Sequence, residues 1–545
     1  MDISPKKIGL VCPSNGAGTE GFFKMLTDRF PGTIESANGR DYDSFSGVIV
    51  FNGDIPKQDL AVPSLFVMPS SRVLENARVQ FAGSSSVPAV FRKREVGQTQ
   101  VAVLDQSQLN GRDEFIASAD GHPIWTARAD DSCRRQICAV SLEQIENLRP
   151  LFRYLSADTF MPLLPMIHFI RQVAGEDGWS DPPLRANIML DDPNLHCTSY
   201  GWINFRELAQ HARAHNYHVS MATIPLDTWM ECKQAVGFFA DNQARLSLLI
   251  HGNNHLDQEL ASFSSDEQRL ASLAQALQRI SRLEAKTSLA VSRVMAAPHE
   301  ACSEQTLRVM ARLGFEAVCI SPGSLHNCNS GKSWVQSIGL GMSDFVAGLP
   351  VIPRFEVGRP FQNAILLAAY LDQPIIPFGH HREVAGGFDL LEDLANFTNS
   401  LGQVRWMDMK GIARSNYKTR TEGSLLRVRS YARVVNVRIP SSVTQVSVHR
   451  PKMDDVVKEG ICIRRPGQSD QVFPQYLGEP FPVQPGADLE ITSILQNQID
   501  PSTVRQPKPR IWPLARRILT EGRDRLSPFA CRLTGKVRRN GGRKT

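Results

Sequence analysis

Short apolar segments alternate with helical segments between residues 184 and 414, and this alternation limits the possible folds more than any other feature. The apolar segments have the length of buried strands. They are Ala186–Leu190, His218–Ile224, Leu246–Ile250, Ser292–Ala296, Glu316–Ile320 and Ile375–Phe378. The segments between them, such as Asn204–His215, repeat apolar residues at the spacing of an amphipathic helix. Strands that alternate with helices form parallel sheets with crossover helices, so the sequence predicts an α/β domain here.

The regions on either side have different patterns and divide the chain further. Residues 1–150 contain strand-like segments with poorly marked helices, and we expect a smaller α/β accessory domain, flavodoxin-like or amidotransferase-like. Residues 151–183 are predicted to be a helical connector that ends in a proline-rich turn. Residues 424–500 alternate apolar with polar side chains, which indicates a small antiparallel β domain resembling a sandwich. Residues 505–545 form a basic tail.

Three glycines near the start of the chain match a dinucleotide-binding fingerprint. Gly16, Gly18 and Gly21 follow the apolar segment Ile8–Val11, and Glu35 lies near the place of the ribose-binding acid. A short insertion separates the apolar segment from the first glycine, and the crossover helices are weak. We therefore favour an accessory domain that does not bind a nucleotide.

The positive charge of the chain belongs to its tail. The net charge is +6, but residues 505–545 hold 13 lysines and arginines against two acidic residues, which leaves −5 for the rest. Two interpretations of the tail stay open. Residues Ile511–Phe529 can form an amphipathic helix, with Leu514, Ile518 and Leu519 on one face and arginines opposite, that makes peripheral contact with an anionic membrane or a polyanion. Alternatively the tail is solvated and partly disordered. No nucleic-acid-binding module is recognisable.

Hydropathy and cysteine usage indicate the cellular compartment that we expect for the protein. No apolar segment reaches the ~18–20 residues that a membrane-spanning helix needs, and the first apolar segment is too short for a signal peptide. The ten cysteines are scattered and show no disulfide framework. We therefore expect a cytoplasmic protein, with a peripheral position at the inner membrane face as an option.

Three of the predicted strands end in residues suited to bind a metal, and such ends meet at one edge of a parallel sheet. The residues are Asp191, Asp192, His251, His255, His380 and His381. Asp192, His251 and His255 offer one oxygen and two imidazoles, a set that suits Zn²⁺ with an open position for water. The spacing of the two histidines places both rings on one face if their segment is helical. Asp191 is then a candidate general base, and a late histidine a candidate acid.

In these motifs the sequence resembles the polysaccharide deacetylases, metal-dependent carbohydrate esterases with a NodB-homology domain. The resemblance covers less than half of the chain. It implies a distorted (β/α) barrel of about seven strands. It also implies that Asp191 is the catalytic base, that Asp192, His251 and His255 bind the metal, and that His380 is the general acid, with His381 as the alternative.

Two motifs depart from the family pattern. The family usually has Thr-Phe-Asp-Asp-Gly, whereas a proline follows Asp192 here. The third family motif normally supplies an arginine that positions the catalytic aspartate, whereas the matching segment Ala297–Glu300 contains none. We assign His299, His196 and Asn194 to substrate binding; Trp406 is either a core residue or a platform for a sugar ring.

The sequence therefore predicts a metal-dependent hydrolase that removes an N- or O-acetyl group from a carbohydrate or glycoconjugate. A glycosidase or amidohydrolase on a related barrel is the first alternative, and a glycosidase would need a second catalytic carboxylate, for which Glu300 is the candidate. The second alternative is a non-catalytic scaffold subunit of envelope-polysaccharide synthesis, suggested by the missing arginine.

Overall fold

The computed structural model describes most of the chain and divides it into two compact units. The described residues are 6–12, 22, 26, 32–56, 60–128, 135–141, 149–174, 178–450, 459–465, 469–473, 478–508 and 511–534. The first unit is Met1–Ser180 with Gly331–Gly341 and Pro360–Asp372, and the second unit is the remainder, beginning at Asp181. The division at Ser180 falls in the turn that ends the predicted connector. No helix among the described residues combines the length and the hydropathy of a membrane-spanning segment.

The first unit contains a nine-stranded mixed sheet. Its strands, in spatial order, are Gly32–Ser36, Lys6–Val11, Gly47–Phe51, Ser64–Pro69, Arg135–Val140, His122–Arg128, Asp113–Ala119, Val73–Phe81 and Glu95–Ala102. The first five strands are parallel, and the last four pair antiparallel. The described helices of this unit are Leu151–Tyr154, Leu164–Val173 and Gln362–Tyr370.

The antiparallel half of this sheet differs from the flavodoxin-like interpretation, which implies a sheet that is mostly parallel. The difference arises because a tight hairpin replaces a crossover helix. Asp120 and Gly121 both have positive φ and form the two-residue turn between Asp113–Ala119 and His122–Arg128. An Asp-Gly pair favours this kind of hairpin turn. The three fingerprint glycines lie outside the described residues.

The second unit is built on another nine-stranded sheet, called here the central sheet. Its strands, in spatial order, are Asp344–Val346, Leu349–Ile352, Ala317–Cys319, Val291–Ala296, Leu246–His251, Val219–Thr223, Ile188–Asp191, Pro377–Gly379 and Phe355–Glu356. All neighbours are parallel except the first pair. The helices that accompany it are Phe205–Ala214, Lys233–Asp241, Asp266–Thr287, Glu304–Leu313, Pro322–Cys328, Asp389–Asn399 and Met409–Arg414. The predicted α/β class is confirmed.

A two-residue link shows that the central sheet curls. Leu349–Ile352 pairs near one end of the sheet, whereas Phe355–Glu356 pairs at the opposite end. Only Pro353 and Arg354 connect them, so the Cα atoms of Ile352 and Phe355 can be at most about 11 Å apart. The two ends of the sheet must therefore lie close together, and the sheet curls at least into a half-barrel.

Parallel register brings the carboxyl ends of the central strands to one edge. Asp191 pairs with Ala222, Leu190 pairs with Gly379, and His251 pairs with Ala296. The strands reach this edge through fully buried apolar residues such as Met189 and Leu249. The short strands Leu184–Ala186 and Val404–Trp406 pair parallel next to the start of this region, away from that edge.

A two-sheet β region follows the central sheet. One four-stranded sheet contains Tyr417–Glu422, Leu425–Ser430, Gln445–His449 and Phe481–Pro482, and the other contains Val434–Arg438, Asp488–Leu495, Glu459–Arg464 and Gln471–Phe473. Apolar residues of both sheets share one buried core, as in a sandwich. One pair, between Leu425–Ser430 and Gln445–His449, is parallel and so departs from the antiparallel pattern expected.

The tail contains a helix, Ile511–Thr534, called here the C-terminal helix. Its buried face is polar and includes Arg517 and Asp524. Its outward face is apolar, and its exposed side chains are Ile511, Trp512, Leu514, Ile518, Leu519 and Leu526. The predicted two-faced helix is therefore present in residues 511–534, but its polar face packs inward, the reverse of an ordinary surface helix.

Gly252 offers a test of the close packing at the edge of the central sheet. It has a φ of +64°, and a Cβ atom added there would lie 2.6 Å from Cγ of Pro298 and against the carboxylate of Glu259. We expect Gly252→Ala to lower the free energy of unfolding by about 1–3 kcal/mol, measured by urea denaturation. In Gly237→Ala, a control within the helix Lys233–Asp241, the new Cβ meets nothing within 4 Å, so stability should stay the same or rise. Equal losses in both variants would contradict this interpretation.

Candidate metal centre

The fold brings Asp192, His251 and His255 together at the carboxyl edge of the central sheet. One ligand atom from each lies within 4.8 Å of the others. Oδ1 of Asp192 is 3.2 Å from Nε2 of His255 and 3.8 Å from Nε2 of His251. These separations allow all three atoms to bind one ion, because donors about 2.0–2.1 Å from a tetrahedral ion lie about 3.3 Å apart.

The loop that carries the two histidines is held by a buried carboxylate and is not helical. Glu259 accepts hydrogen bonds from the backbone N–H groups of Asn253, Asn254 and Leu256 at 2.5, 3.1 and 3.4 Å. His255 has a φ of +55° within this loop, a strained value for a residue with a side chain. A helical turn between His251 and His255 is therefore not what brings the two rings together; the loop does so, and both rings face Asp192.

The donor atoms fit a divalent cation. Nδ1 of His251 lies 3.0 Å from the carbonyl oxygen of Ala296, so it donates a proton there and leaves Nε2 with a free lone pair. Oδ1 of Asp192 is buried and has no hydrogen-bond partner among the described residues. Burial lowers the pKa of His255 to about 3, which keeps this imidazole neutral, as a metal ligand must be. Two neutral imidazoles and a carboxylate are a typical zinc set with room for water.

A buried arginine holds the neighbouring carboxylate. Nη1 of Arg354 lies 3.1 Å from Oδ2 of Asp191, and Nη2 lies 2.5 Å from Oε1 of Glu300. The guanidinium stacks over the ring of Phe378 at 3.9 Å. Burial alone would raise the pKa of Asp191, but the charge of Arg354, together with His251 and His380, outweighs it, and the pKa lies below the usual value. The carboxylate of Asp191 is therefore ionised and held in a fixed orientation.

Arg354 corrects the expectation that Asp191 lacks an arginine partner. The partner comes from the link after Leu349–Ile352 and not from the segment Ala297–Glu300, where the family pattern would place it. One sequence signal could have found it, because Arg354 also follows an apolar strand directly.

The two late histidines occupy different environments. His380 has an exposed side chain and interacts electrostatically with both Asp191 and Asp192. His381 is buried, with Nε2 3.7 Å from Oδ1 of Asp524 and its ring edge-on to Tyr200. The geometry favours His380 as the residue that faces a substrate and assigns His381 to the contact with the C-terminal helix.

The C-terminal helix attaches to the loops around the candidate metal centre, which the sequence did not indicate. Nε of Arg517 is 2.7 Å from Oδ2 of Asp227, and its Nη2 donates to the carbonyl oxygen of Asp192 at 3.0 Å. Arg516 donates to the carbonyl oxygen of His255. The polar face of this helix therefore fixes the backbone of two of the three candidate ligands.

Two predicted substrate-binding residues serve this attachment. Nδ1 of His196 lies 3.0 Å from the carboxylate of Glu521, and its Nε2 lies 2.7 Å from the carbonyl oxygen of Asp227. Asn194 accepts a hydrogen bond from Arg525 at 3.0 Å. Both side chains are buried, so the geometry assigns them to holding the helix and not to contact with a substrate.

The remaining two candidates lie at different distances from the centre. The ring of His299 is exposed, and its centroid is 4.7 Å from that of His255, so it borders the candidate ligands. Trp406 pairs with Ala186, at the start of the strands and away from Asp191, and its Nε1 donates to Asn399 at 2.9 Å. This placement argues against a sugar platform at the metal centre and favours the structural alternative.

Comparisons with known proteins found partial similarities to solved structures. A putative polysaccharide deacetylase from Mycobacterium smegmatis shares 12% identity over 44% of this chain and 92% of its own, with a TM-score of 0.31. A family 4 carbohydrate esterase from Streptomyces lividans shares 10% over 42% of this chain and 93% of its own, with a TM-score of 0.26. A CE4 family pseudoenzyme from Bacillus anthracis shares 10% sequence identity, and the alignment covers 42% of this chain and 66% of that protein, with a TM-score of 0.24. No protein-family model and no curated protein matches the chain.

Loss of one candidate ligand should remove one bound ion. We expect His255→Ala, reconstituted with Zn²⁺ and desalted, to retain one equivalent less than the unsubstituted protein, as measured by atomic emission. The Zn²⁺ affinity of this variant should fall by more than about 10–100-fold, which is the loss when an outer-shell partner of a ligand is removed. His299→Ala is the matched control, because it removes a neighbouring imidazole that is not in the candidate set. Equal zinc content in His255→Ala and His299→Ala would contradict the assignment.

Proposed function

We propose that the second unit is a metal-dependent hydrolase that removes an N- or O-acetyl group from a carbohydrate or glycoconjugate. The observation that carries this proposal is the pairing of two adjacent carboxylates with different partners. Asp191 is held ionised by Arg354, and Asp192 faces two imidazoles. A base beside a set of metal ligands is the arrangement that activates water for attack on an acyl carbon. The motif resemblance to the polysaccharide deacetylases supports the same reaction.

The proposed residues divide the proton transfers between them. A divalent cation held by Asp192, His251 and His255 supplies Lewis-acid activation of water and of the acyl carbonyl when bound. Asp191 accepts the proton of the attacking water, and Arg354 keeps its carboxylate ionised and oriented. His380 donates a proton to the departing nitrogen or oxygen as the bond to the acyl carbon breaks. The products are acetate and the free amine or hydroxyl of the sugar.

The contacts of Glu300 weigh against the glycosidase alternative. This carboxylate accepts from Arg354 and, at 2.9 Å, from the backbone N–H of Ser321. It shares the guanidinium with Asp191 and is not a free acid beside it. The scaffold alternative loses its main support as well, because the arginine it took to be missing is supplied by Arg354.

Asp191 provides the first test of the reaction. We expect Asp191→Asn to lower kcat for acetate release from acetylated amino-sugar oligomers or O-acetylated oligosaccharides by about 10²–10⁴-fold, because the general base is lost. Its zinc content should equal that of the unsubstituted protein. Release of new reducing ends without acetate by the zinc-loaded protein would instead establish a glycosidase and overturn the proposal.

Arg354 provides a second test, as a positioning residue. We expect Arg354→Met to lower kcat more than it raises KM, because the charge and the hydrogen bond from Nη1 to Asp191 disappear. Arg354→Lys should recover part of kcat, since it restores the charge but not the planar fork. Zinc content separates this effect from loss of the metal. A Lys variant no better than the Met variant would show that the charge is not what matters.

We also propose that the C-terminal helix makes peripheral contact with an anionic membrane surface, and not with a soluble polyanion. Its outward face carries Trp512 and Leu519, which are 66% and 71% exposed. Its arginines are largely engaged: Arg517 pairs with Asp227, and Arg525 pairs with Glu521. A soluble polyanion would leave these apolar side chains exposed to water, whereas a membrane surface would bury them, and the net charge of +11 of residues 505–545 favours anionic lipid. Such a combination favours anionic lipid, where apolar burial and charge act together.

Vesicle binding tests this contact. We expect the protein to co-sediment with vesicles that contain phosphatidylglycerol and to bind pure phosphatidylcholine vesicles more weakly. The double variant Ile518→Ser, Leu519→Ser should bind at least about 10-fold more weakly, since two apolar side chains no longer insert. Val472→Ser removes an exposed apolar side chain elsewhere in the second unit and is the matched control. Retention on a polyanion resin without vesicle binding would contradict the membrane contact.

A further inference from the structure

A second group of metal-ligating side chains lies apart from the candidate metal centre. It consists of His211, His215 and Glu392, and one ligand atom from each lies within 4.8 Å of the others. Nε2 of His211 is 3.8 Å from Oε2 of Glu392, and Nδ1 of His215 is 3.5 Å from Oε1. We propose that this group is a second divalent-metal site, with Zn²⁺ as the preferred ion.

The separations between donor atoms match those that one ion requires. Donors about 2.0–2.1 Å from a tetrahedral Zn²⁺ lie about 3.3 Å from each other. The distances of 3.5 and 3.8 Å here run to the two oxygens of one carboxylate, whereas the 3.2 and 3.8 Å at Asp192 run to a single oxygen. Both pairs of distances are close to the separation that one ion requires. Two imidazoles and one carboxylate again form the donor set. Zinc prefers such nitrogen-rich sets, whereas magnesium prefers oxygen ligands.

Neighbouring residues orient these side chains. Nδ1 of His211 lies 2.9 Å from the hydroxyl of the buried Tyr217, and this hydrogen bond holds the ring with Nε2 on the side of Glu392. His215 follows His211 by four residues, at the end of the helix Phe205–Ala214, and its ring stacks on that of His211 at 4.3 Å. Imidazoles four residues apart on a helix share one face and can bind the same ion.

Glu392 belongs to a different helix from the two histidines, so the group spans two helices. It lies in the first turn of the helix Asp389–Asn399, and Phe388, just before this helix, packs against the ring of His211 at 5.3 Å. The side chains of all three ligands are partly exposed, so an ion can enter from solvent and keep water in its open positions. An ion at this place would join the two helices directly.

The location indicates a role in stability and not in catalysis. Tyr217 precedes the strand Val219–Thr223 by two residues, so the group lies near the amino ends of the central strands. The candidate metal centre lies at their carboxyl ends. In parallel α/β folds, active sites lie at the carboxyl ends of the strands, whereas residues at the amino ends contribute to stability. Without an ion the same residues form a partly exposed ion-pair cluster, which contributes little.

Zinc stoichiometry tests this proposal independently of any activity. We expect the chelator-treated protein to bind two equivalents of Zn²⁺ by calorimetry. His211→Ala and the isosteric Glu392→Gln should each bind one equivalent and should show a smaller zinc-dependent rise in Tm. Acetate release by these two variants should match that of the unsubstituted protein. His122→Ala, which removes a histidine of the first unit, should still bind two equivalents.

The comparison with His255→Ala separates this proposal from the proposed function. In His255→Ala the equivalent at His211 should remain, and in the double variant His211→Ala, His255→Ala no tight binding should remain. A protein that binds one equivalent, lost in His255→Ala, would reduce the second group to an ion-pair cluster. Two equivalents that persist in both His211→Ala and Glu392→Gln would equally overturn the second site.

Discussion

Two carboxylates, Asp191 and Asp192, are buried side by side at the end of a central strand, and the second unit depends on how their charge is compensated. Ionised groups in such a position repel each other and lose their hydration, so each needs its own partner. Arg354 supplies one for Asp191, while Asp192 faces His251 and His255. The arrangement gives two adjacent and chemically identical groups different surroundings, which we interpret as those of an oriented base and of a metal ligand.

Distant parts of the chain converge to produce this separation. The strands contribute the aspartates and His251, the link before Phe355 contributes Arg354, and the C-terminal helix contributes Arg517. Arg517 binds the backbone of Asp192 while it pairs with Asp227, so the tail stabilises the loop that holds a candidate ligand. The same helix turns its apolar face outward. The C-terminal helix therefore connects the candidate metal centre with the outward face that we propose contacts an anionic membrane.

The sequence revealed most where a pattern is local and periodic. The strand Leu246–His251 was predicted to within one residue, and its terminal histidine faces Asp192 as expected from parallel register. Contacts that depend on three-dimensional proximity were missed. Arg354 follows a strand near one end of the sheet and contacts Asp191 on a strand near the other end, which periodicity does not encode.

Local conformations imposed by a distant side chain were also missed. The spacing of His251 and His255 left open whether their segment is helical; in the structure the carboxylate of Glu259 accepts hydrogen bonds from its backbone N–H groups and holds it as a loop. The amphipathic pattern of the tail predicted a helix with two faces, yet could not tell which face packs inward. That outcome depends on buried acids such as Asp227, which pair with its arginines. In the first unit, the Asp120–Gly121 hairpin was not identified from the sequence.

The link Pro353–Arg354 has a consequence for how this fold can vary. It joins the two margins of the curled sheet by the shortest of connections, and the same two residues carry the guanidinium that neutralises the base. An insertion in the link Pro353–Arg354 would let the two ends of the curled sheet move apart, and it would also move the guanidinium of Arg354 away from Asp191. Architecture and reactivity are thus tied to a single point on the backbone, where a change in loop length acts on both at once.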